Sequence, residues 1–401
     1  MTEHRLIHKI KKAAEQHLES VIKDRRYLHM HPELSFQEAA TGQYIQDRLR
    51  DLGIAFTAGW AEHGVVAEIK GAKPGKGFMA LRADIDALPI LEENDVPYRS
   101  QNPGVMHACG HDVHTSSLLG VAAILQDIRE HFSGTVRLIF QPAEEKLPGG
   151  ASLLIQEGVL TNPVPRGILG QHVHPPLEAG MVGFREGMYM ASCDEIYLTL
   201  KGKGGHGAVP QDCIDPVLMA AHVLVGLQQV VARKSDPLVP SVLSFGKIQS
   251  AGGANNIIPN SVRLEGTFRT MDEAWRREAH EWIRTTVNHI CASMGGSCEI
   301  DLQIGYPYLI NDEQLTASSV EFAGEFLGKE KVVRLEPRMS AEDFSYYSQV
   351  IPACFYRLGT GNKARNITSP VHSTTFDVDE KAFEVSSGLM AFLALRHLGN
   401  D

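Results

Sequence analysis

GTVRLIFQPAEE, residues 134–145, decides the fold. Its first nine residues, GTVRLIFQP, form a near-continuous apolar run closed by Pro142. A strand with one wet face alternates apolar and polar residues; an unbroken run fits a central strand covered on both faces. Two adjacent carboxylates, Glu144 and Glu145, follow directly. Ligands bind beyond the carboxyl ends of strands in α/β sheets, so this pair sits where a site would form. An exposed acidic loop is the alternative.

Working outward, helical periodicity runs over 5–28 through Ile7, Ile10, Ala14, Leu18, Val21 and Leu28, before Pro32. A second helix is expected over 37–52, strands near 64–70 and 78–84, a polar loop over 92–106 and a helix from about Asp112 to 130. Downstream come a helix near 150–157 and a strand over 167–174. This alternation predicts an α/β domain with a mainly parallel or mixed central sheet.

The texture changes after residue 187. EIYLTLKG (195–202) alternates with period two, as a half-exposed strand does. A helix over 215–233, strands at 241–249 and 258–270, a helix over 273–293 and a strand at 297–304 follow. The order β-α-β-β-α-β is ferredoxin-like. From 305 the first texture resumes, with a helix at 313–327, strands at 331–335 and 353–358, and a last helix from Glu380 to His397. The expectation is a catalytic α/β domain in two parts, 1–188 and 305–401, interrupted by an inserted α+β domain, 189–304.

The 401 residues carry 43% hydrophobic and 21% charged side chains, ordinary for a globular chain. The formal net charge is −10. That balance argues against nucleic acid or an anionic membrane face as partner. Cys109, Cys193, Cys213, Cys291, Cys298 and Cys354 form no CxxC pair, which suggests free thiols in a reducing compartment. MTEHRLIHKIKK lacks the apolar stretch of an export signal, and runs such as GLMAFLAL (388–395) fall short of the ~20 residues a bilayer requires. A cytoplasmic protein is expected.

Four segments concentrate metal-binding chemistry. MHACGHDVH (106–114) places Cys109 and His111 at a loop-to-helix junction beside His107 and His114. Thiolate and imidazole suit borderline-soft divalent ions; the plainer alternative is a buried cysteine at a helix start capped by Asp112. FQPAEE (140–145) adds Glu144 and Glu145, GQHVHP (170–175) adds His172 and His174, and VHSTTF (371–376) adds His372. Together they supply enough donors for two metal ions sharing a ligand. In LRADIDALP (81–89), Asp84 or Asp86 could hold a ligand histidine from behind, or the two could simply form a turn.

GKGGHG (202–207) matches a dinucleotide fingerprint, but Pro210 and Asp215-Pro216 follow, so no helix opens on its last glycine. A glycine-rich turn presenting His206 fits better. A nucleophilic Cys109 would leave the glutamate pair unexplained.

These segments resemble the metal-dependent aminoacylase/carboxypeptidase family of cocatalytic amidohydrolases. The closer resemblance is to the branch of bacterial N-acyl-amino-acid amidohydrolases and plant indoleacetyl-amino-acid hydrolases. RRYLHMHPELSFQE (25–38), LRADIDALP, MHACGHDVH, FQPAEE, GQHVHP, GKGGHGAVP, GGANNIIPNSVRLEGTFRT (252–270), MSAEDFSYY (339–347) and VHSTTFDVDE (371–380) carry it, in order, through nearly the whole chain.

The resemblance implies a lid domain that mediates homodimerisation and a site for two divalent ions. Thiolate and imidazole ligands suit zinc, and manganese, cobalt or nickel would be held by similar ligands. By that resemblance Cys109 bridges, His111 and His172 complete one metal, and Glu145 and His372 the other. Glu144 matches the general base, Asp84 the residue that orients a ligand histidine, and His206 the lid histidine that stabilises the oxyanion. Asn256 and Arg269 match substrate-binding positions. The implied substrate is a small N-acyl amino acid or a dipeptide. Gln211, His174, Thr374 and Ser340 depart from the usual pattern near the substrate. A metallo-dipeptidase, or a catalytically silent metal-binding protein, is the alternative.

Overall fold

A computed structural model describes residues 3–399. Helices α1 (Glu3–Met30) and α2 (Ala39–Asp51) precede strands β1 (Phe56–Trp60), β2 (Gly64–Lys70) and β3 (Lys73–Asp84). Then come α3 (His111–Asp127), β4 (Ser133–Gln141), α4 (Gly150–Gln156), β5 (Ile168–Glu178), β6 (Val182–Phe184) and β7 (Gly187–Met190). The middle of the chain holds β8 (Asp194–Lys201), β9 (Gly205–His206), α5 (Pro216–Gln229), β10 (Ser241–Ser250), β11 (Ile257–Ile258), β12 (Ser261–Thr270), α6 (Glu273–Ser293) and β13 (Ser297–Ile304). It ends with β14 (Leu309–Asn311), α7 (Glu313–Leu327), β15 (Val332–Arg334), α8 (Ser345–Ser348), β16 (Ala353–Gly361) and α9 (Phe383–Leu398).

The described residues form two compact units. The larger takes the chain up to Gly187, Ile310–Glu336 and the chain from Asp343; the smaller takes Met188–Leu309 and Pro337–Glu342.

In the larger unit eight strands form a mixed sheet, in the order β1-β2-β4-β3-β5-β16-β6-β15. β3 runs parallel to β4 and to β5, with Asp84 opposite Gln141 and Arg82 opposite Gly170. β5 runs parallel to β16, with His172 opposite Arg357. The carboxyl ends of β3 and β4 therefore finish together. β4 is buried from Val136 to Gln141, Arg137 included, as expected of a central strand covered on both faces. α3 is buried over His111–Leu125 and packs against β3, α1 and α9. α9 is buried almost throughout because it lies against β3 and β4 on one side and α1, α3 and α7 on others. Such all-round apolarity marks a core helix.

The helix expected from near Asp112 begins at His111, and the alternative reading in which Asp112 caps it does not hold. The N-cap is Gly110, at φ +83, and no side chain caps the helix. A Cβ at Gly110 would sit 2.5 Å from Val173 Cγ2, so both the left-handed backbone and the close approach require glycine. Asp112 is fully buried and accepts hydrogen bonds from Arg25 Nε (2.9 Å) and His29 Nδ1 (2.7 Å).

In the smaller unit four antiparallel strands lie in the order β10-β12-β8-β13. Ile196, Leu198 and Leu200 of β8 point into a core shared with Met219, Val223 and Leu227 of α5 and Ala279, Ile283 and Val287 of α6. With β-α-β-β-α-β connectivity this is the ferredoxin-like arrangement. The segment expected as one strand over 258–270 divides at Pro259–Asn260 into β11, which pairs with β9, and β12. Among the described helices, Pro216–Lys234 reaches the length and apolarity of a membrane span, longer than the runs noted above. Its buried Met219, Ala220, Val223 and Leu227 pack in the core of this unit.

Candidate metal centre and active site

Parallel β3, β4 and β5 bring two loops and a strand segment together at the carboxyl end of the large sheet. The loop after β4 carries Glu144 and Glu145, the loop before α3 carries Cys109, and β5 carries His172. Because β5 continues to Glu178, His172 lies within a strand rather than at its end. His372 comes from the loop before α9 and is tied in by its N–H, which donates 2.7 Å to Ala108 O.

Cys109 Sγ lies 3.5 Å from His172 Nε2 and 3.3 Å from His372 Nε2. His372 Nε2 lies 3.3 Å from Glu145 Oε1. Two three-donor sets thus share one thiol: Cys109, His111, His172 and Cys109, Glu145, His372, with the donor atoms of each set within 4.8 Å of one another. His111 Nε2 lies 3.9 Å from Glu144 Oε2 and 4.0 Å from Glu145 Oε1.

Hydrogen bonds fix the histidine tautomers. His172 Nδ1–H donates 2.8 Å to Val173 O, which leaves the Nε2 lone pair facing Cys109. His111 Nδ1–H donates to Asp86 O (2.9 Å) and Oδ1 (3.1 Å). Its Nε2 is buried without a hydrogen-bond partner. A buried imidazole nitrogen left bare is costly unless something occupies its lone pair. Together with thiol, imidazole and carboxylate donors converging on one point, this orphaned atom shows that the residues present fit divalent ions.

The local field says the same. Burial alone would lower the basicity of His111, yet the charges of Asp84 and Cys109 hold its pKa well above the ordinary value. Hydrogen bonds with Cys109 and Glu145 push His372 up to about 10. Burial and then Glu145 raise the Cys109 thiol. Burial, then the charge of Arg357, holds His172 well below its ordinary value, which favours the neutral imidazole that a ligand must present, and a coordinated thiol is deprotonated outright.

Spacing alone makes Asp84 and Asp86 alternatives, and the resemblance favours Asp84. The structure places Asp86, not Asp84, on Nδ1 of His111. Asp84 accepts from His114 Nδ1 (2.6 Å) and Arg82 Nη1 (2.6 Å). Its Oδ2 stands 3.6 Å from the other nitrogen of His111. Asp84 closes β3 in register with Gln141, whereas Asp86 lies two residues beyond that strand end. His114 Nε2 accepts from Val173 N–H (2.9 Å), so both its nitrogens are engaged and it is a structural histidine. His107 is buried, and burial lowers its pKa to about 4.

Three groups at the site have no role that the sequence assigns. Asp343 accepts from Arg82 Nη2 (2.6 Å), Gln141 Nε2 (2.7 Å) and Ala151 N–H (3.0 Å), and its N–H points at Glu144 Oε1 (3.4 Å). Glu38 accepts from Ala143 N–H (2.7 Å). Ser35 donates 2.6 Å to Asp86. All three lie in quoted segments, MSAEDFSYY and RRYLHMHPELSFQE, but nothing in a single sequence marks a second layer.

The remaining expected residues belong to the smaller unit. His206 is exposed on the β9–β11 ribbon, and its Nδ1 accepts from Ala208 N–H (3.0 Å). Asn256 is exposed beside it, its carbonyl accepting from Gly207 N–H (2.8 Å). Arg269 Nη1 donates 3.4 Å to Met339 O.

Residues 80–396 match the model of peptidase family M20/M25/M40. The chain belongs to this family. N-acetylcysteine deacetylase of Bacillus subtilis (strain 168) is 40% identical over 376 residues, covering 94% of this chain and 96% of its own. Thermostable carboxypeptidase 2 of Saccharolobus solfataricus is 38% identical over 394 residues, 98% of either chain. The crystal structure of the Bacillus subtilis YXEP protein, a dinuclear metal binding peptidase from the M20 family, matches with a TM-score of 0.82 at 37% identity over 96% of this chain and 99% of that one. The matched span of this M20 chain runs from before Asp84 to beyond His372 and so includes every residue of both donor sets.

Proposed function

We propose that this M20 chain is a metal-dependent amidohydrolase that cleaves N-acyl amino acids to a carboxylate and a free amino acid. One observation carries the reading. Glu144, 6% exposed, lies outside both sets that share Cys109 yet 3.9 Å from the bare nitrogen of His111. Glu144 also comes within donor range of His111 and Glu145, but the two thiol-sharing sets are complete without it, which leaves its carboxylate available for proton transfer beside them.

Cys109 would bridge two divalent ions, with His111 and His172 on one and Glu145 and His372 on the other. Such ions supply Lewis acidity, making the attacking water more acidic and polarising the scissile carbonyl. Asp86 fixes the His111 ring so that Nε2 faces the centre. Glu144 takes the proton of the attacking water and returns it to the leaving nitrogen, so one carboxylate serves both steps. The Ala208 N–H bond leaves the proton of neutral His206 on Nε2, a donor suited to an oxyanion. The Arg269 guanidinium matches a free α-carboxylate by its fork geometry, and Asn256 would add a polar contact.

Thiol and imidazole donors favour zinc, with manganese, cobalt or nickel held by similar ligands. Six free thiols support a cytoplasmic location. Exposed Val217, Leu218 and Val225 on α5 and Ile248 on edge strand β10 support a homodimer through the smaller unit, which we read as an inserted lid domain. The likeness to thermostable carboxypeptidase 2 favours a second substrate class, short peptides, handled by the same machinery.

Glu144→Gln tests the reading. We expect turnover of N-acyl amino acids to fall at least ~1000-fold with two metal ions retained. Substantial activity in that variant would remove Glu144 as the base.

A further inference from the structure

We propose that Glu38 is a positioning residue for the reaction, setting the turn that carries Glu144 through its bond from the Ala143 N–H. The inference rests on the reading of Glu144 as the base.

Ala143 has φ +54, a left-handed conformation that a residue with a Cβ adopts only when its surroundings impose it. Three contacts impose it here. Ala143 N–H donates 2.7 Å to Glu38 Oε1. Glu145 N–H donates 2.9 Å to Asp86 Oδ2. Ala143 O accepts from Gly150 N–H at 2.9 Å. Gly150 closes on the turn so tightly that a Cβ there would sit 1.8 Å from Pro142 O. Carboxylates thus hold the N–H groups on either side of Glu144. Asp86 has other work, since it also receives His111 and Ser35; Glu38 touches no residue of either donor set through this bond.

The Glu38 side chain also has no capping role in its own helix. It stands at the N-cap of α2, yet makes no capping bond. Glu33 caps instead, accepting from Ala40 N–H (3.2 Å), Thr41 N–H (2.7 Å) and Thr41 Oγ1 (2.9 Å). The carboxyl group is fully buried, and the backbone N–H groups of Phe36 and Glu38 in the turn before α2 also act on it. Its Oε1 holds the backbone amide whose conformation aims Glu144. Displacing a catalytic group by ~1 Å can reduce turnover ~100-fold.

The test compares Glu38→Met, which fills the space without an acceptor, Glu38→Gln, which keeps an oxygen in place, and Glu38→Met with Ala143→Gly. Each metal-loaded variant is assayed on the N-acetyl amino acid that the wild-type chain hydrolyses fastest, with metal content and Tm measured alongside. For Glu38→Met we expect kcat to fall ~10–100-fold with KM and metal content unchanged. Glu38→Gln should stay within ~3-fold of wild type, and Ala143→Gly should recover at least ~5-fold on the Met background, because glycine adopts positive φ unaided. Wild-type kcat in Glu38→Met overturns the proposal. So does a loss that tracks metal content or that Ala143→Gly leaves unrelieved. Glu144→Gln in the same assay separates the two readings. If it is active the base assignment fails; if it is inactive while Glu38→Met is fully active, only the role of Glu38 fails.

Discussion

The Nε2 of His372 lies 3.3 Å from the Sγ of Cys109, across 263 residues of chain. The contact joins the last segment of the large unit to the first, with the smaller unit between them in sequence. It also makes Cys109 the common member of two donor sets. We therefore expect Cys109→Ala to reduce bound metal from two ions per chain to one or none, with loss of activity. Elemental analysis after dialysis reads this directly, and two ions retained in the variant would remove Cys109 as the bridge.

Asp86 and Asp84 should behave differently when neutralised. Asp86→Asn weakens the hold on His111 Nδ1 and should lower metal affinity ~10–100-fold while leaving the chain folded. Asp84→Asn leaves Arg82 buried with one carboxylate partner fewer and should destabilise by up to ~3–5 kcal/mol. Metal titration and thermal melting of both variants separate the two roles.

His206 is exposed, and its side chain supports no core. His206→Ala should therefore keep Tm and metal content while kcat falls ~100–1000-fold, the magnitude of losing one oxyanion donor. A change confined to KM would assign the residue to substrate binding.

A buried ion pair in the smaller unit gives a pH signature. Burial alone would raise Asp194, but bonds from His280 and Arg276 hold its carboxyl below the ordinary value. A carboxyl with a depressed native pKa contributes its full stability above the unfolded value of ~3.9 and loses it as pH falls toward the native value. Asp194→Asn should thus be less stable than wild type by ~3–5 kcal/mol at pH 7. The gap should hold down to about pH 5 and narrow below about pH 4. Denaturant titrations from pH 3 to 7 check it.

Much of this architecture is legible in the residues because its periods are strong. The near-continuous apolar run of β4 reads as a central strand, and the alternation of Ile196, Leu198 and Leu200 reads as a half-covered one. The donors are legible because cysteine, histidine and paired glutamates are rare chemistry in short segments. What a sequence lacks is the direction in which a side chain points. Asp84 and Asp86 are equivalent by spacing, and only the end of β3 separates them. Three histidines flank Cys109, yet His111 alone joins a thiol-sharing set, while His114 is engaged on both nitrogens. Glu38 and Asp343 act on backbone amides or carboxylates more than 100 residues away, a relation no local pattern encodes.

On this reading, metal held by these donors activates the water that hydrolyses an acyl-amino-acid amide. The most direct measurement is amino-acid release from a panel of N-acyl amino acids and dipeptides, by chelated chain and by the same chain reloaded with zinc, manganese, cobalt or nickel. We expect no release from the chelated chain and restored release on reloading, greatest for N-acyl amino acids. Undiminished release by fully chelated chain would contradict the account.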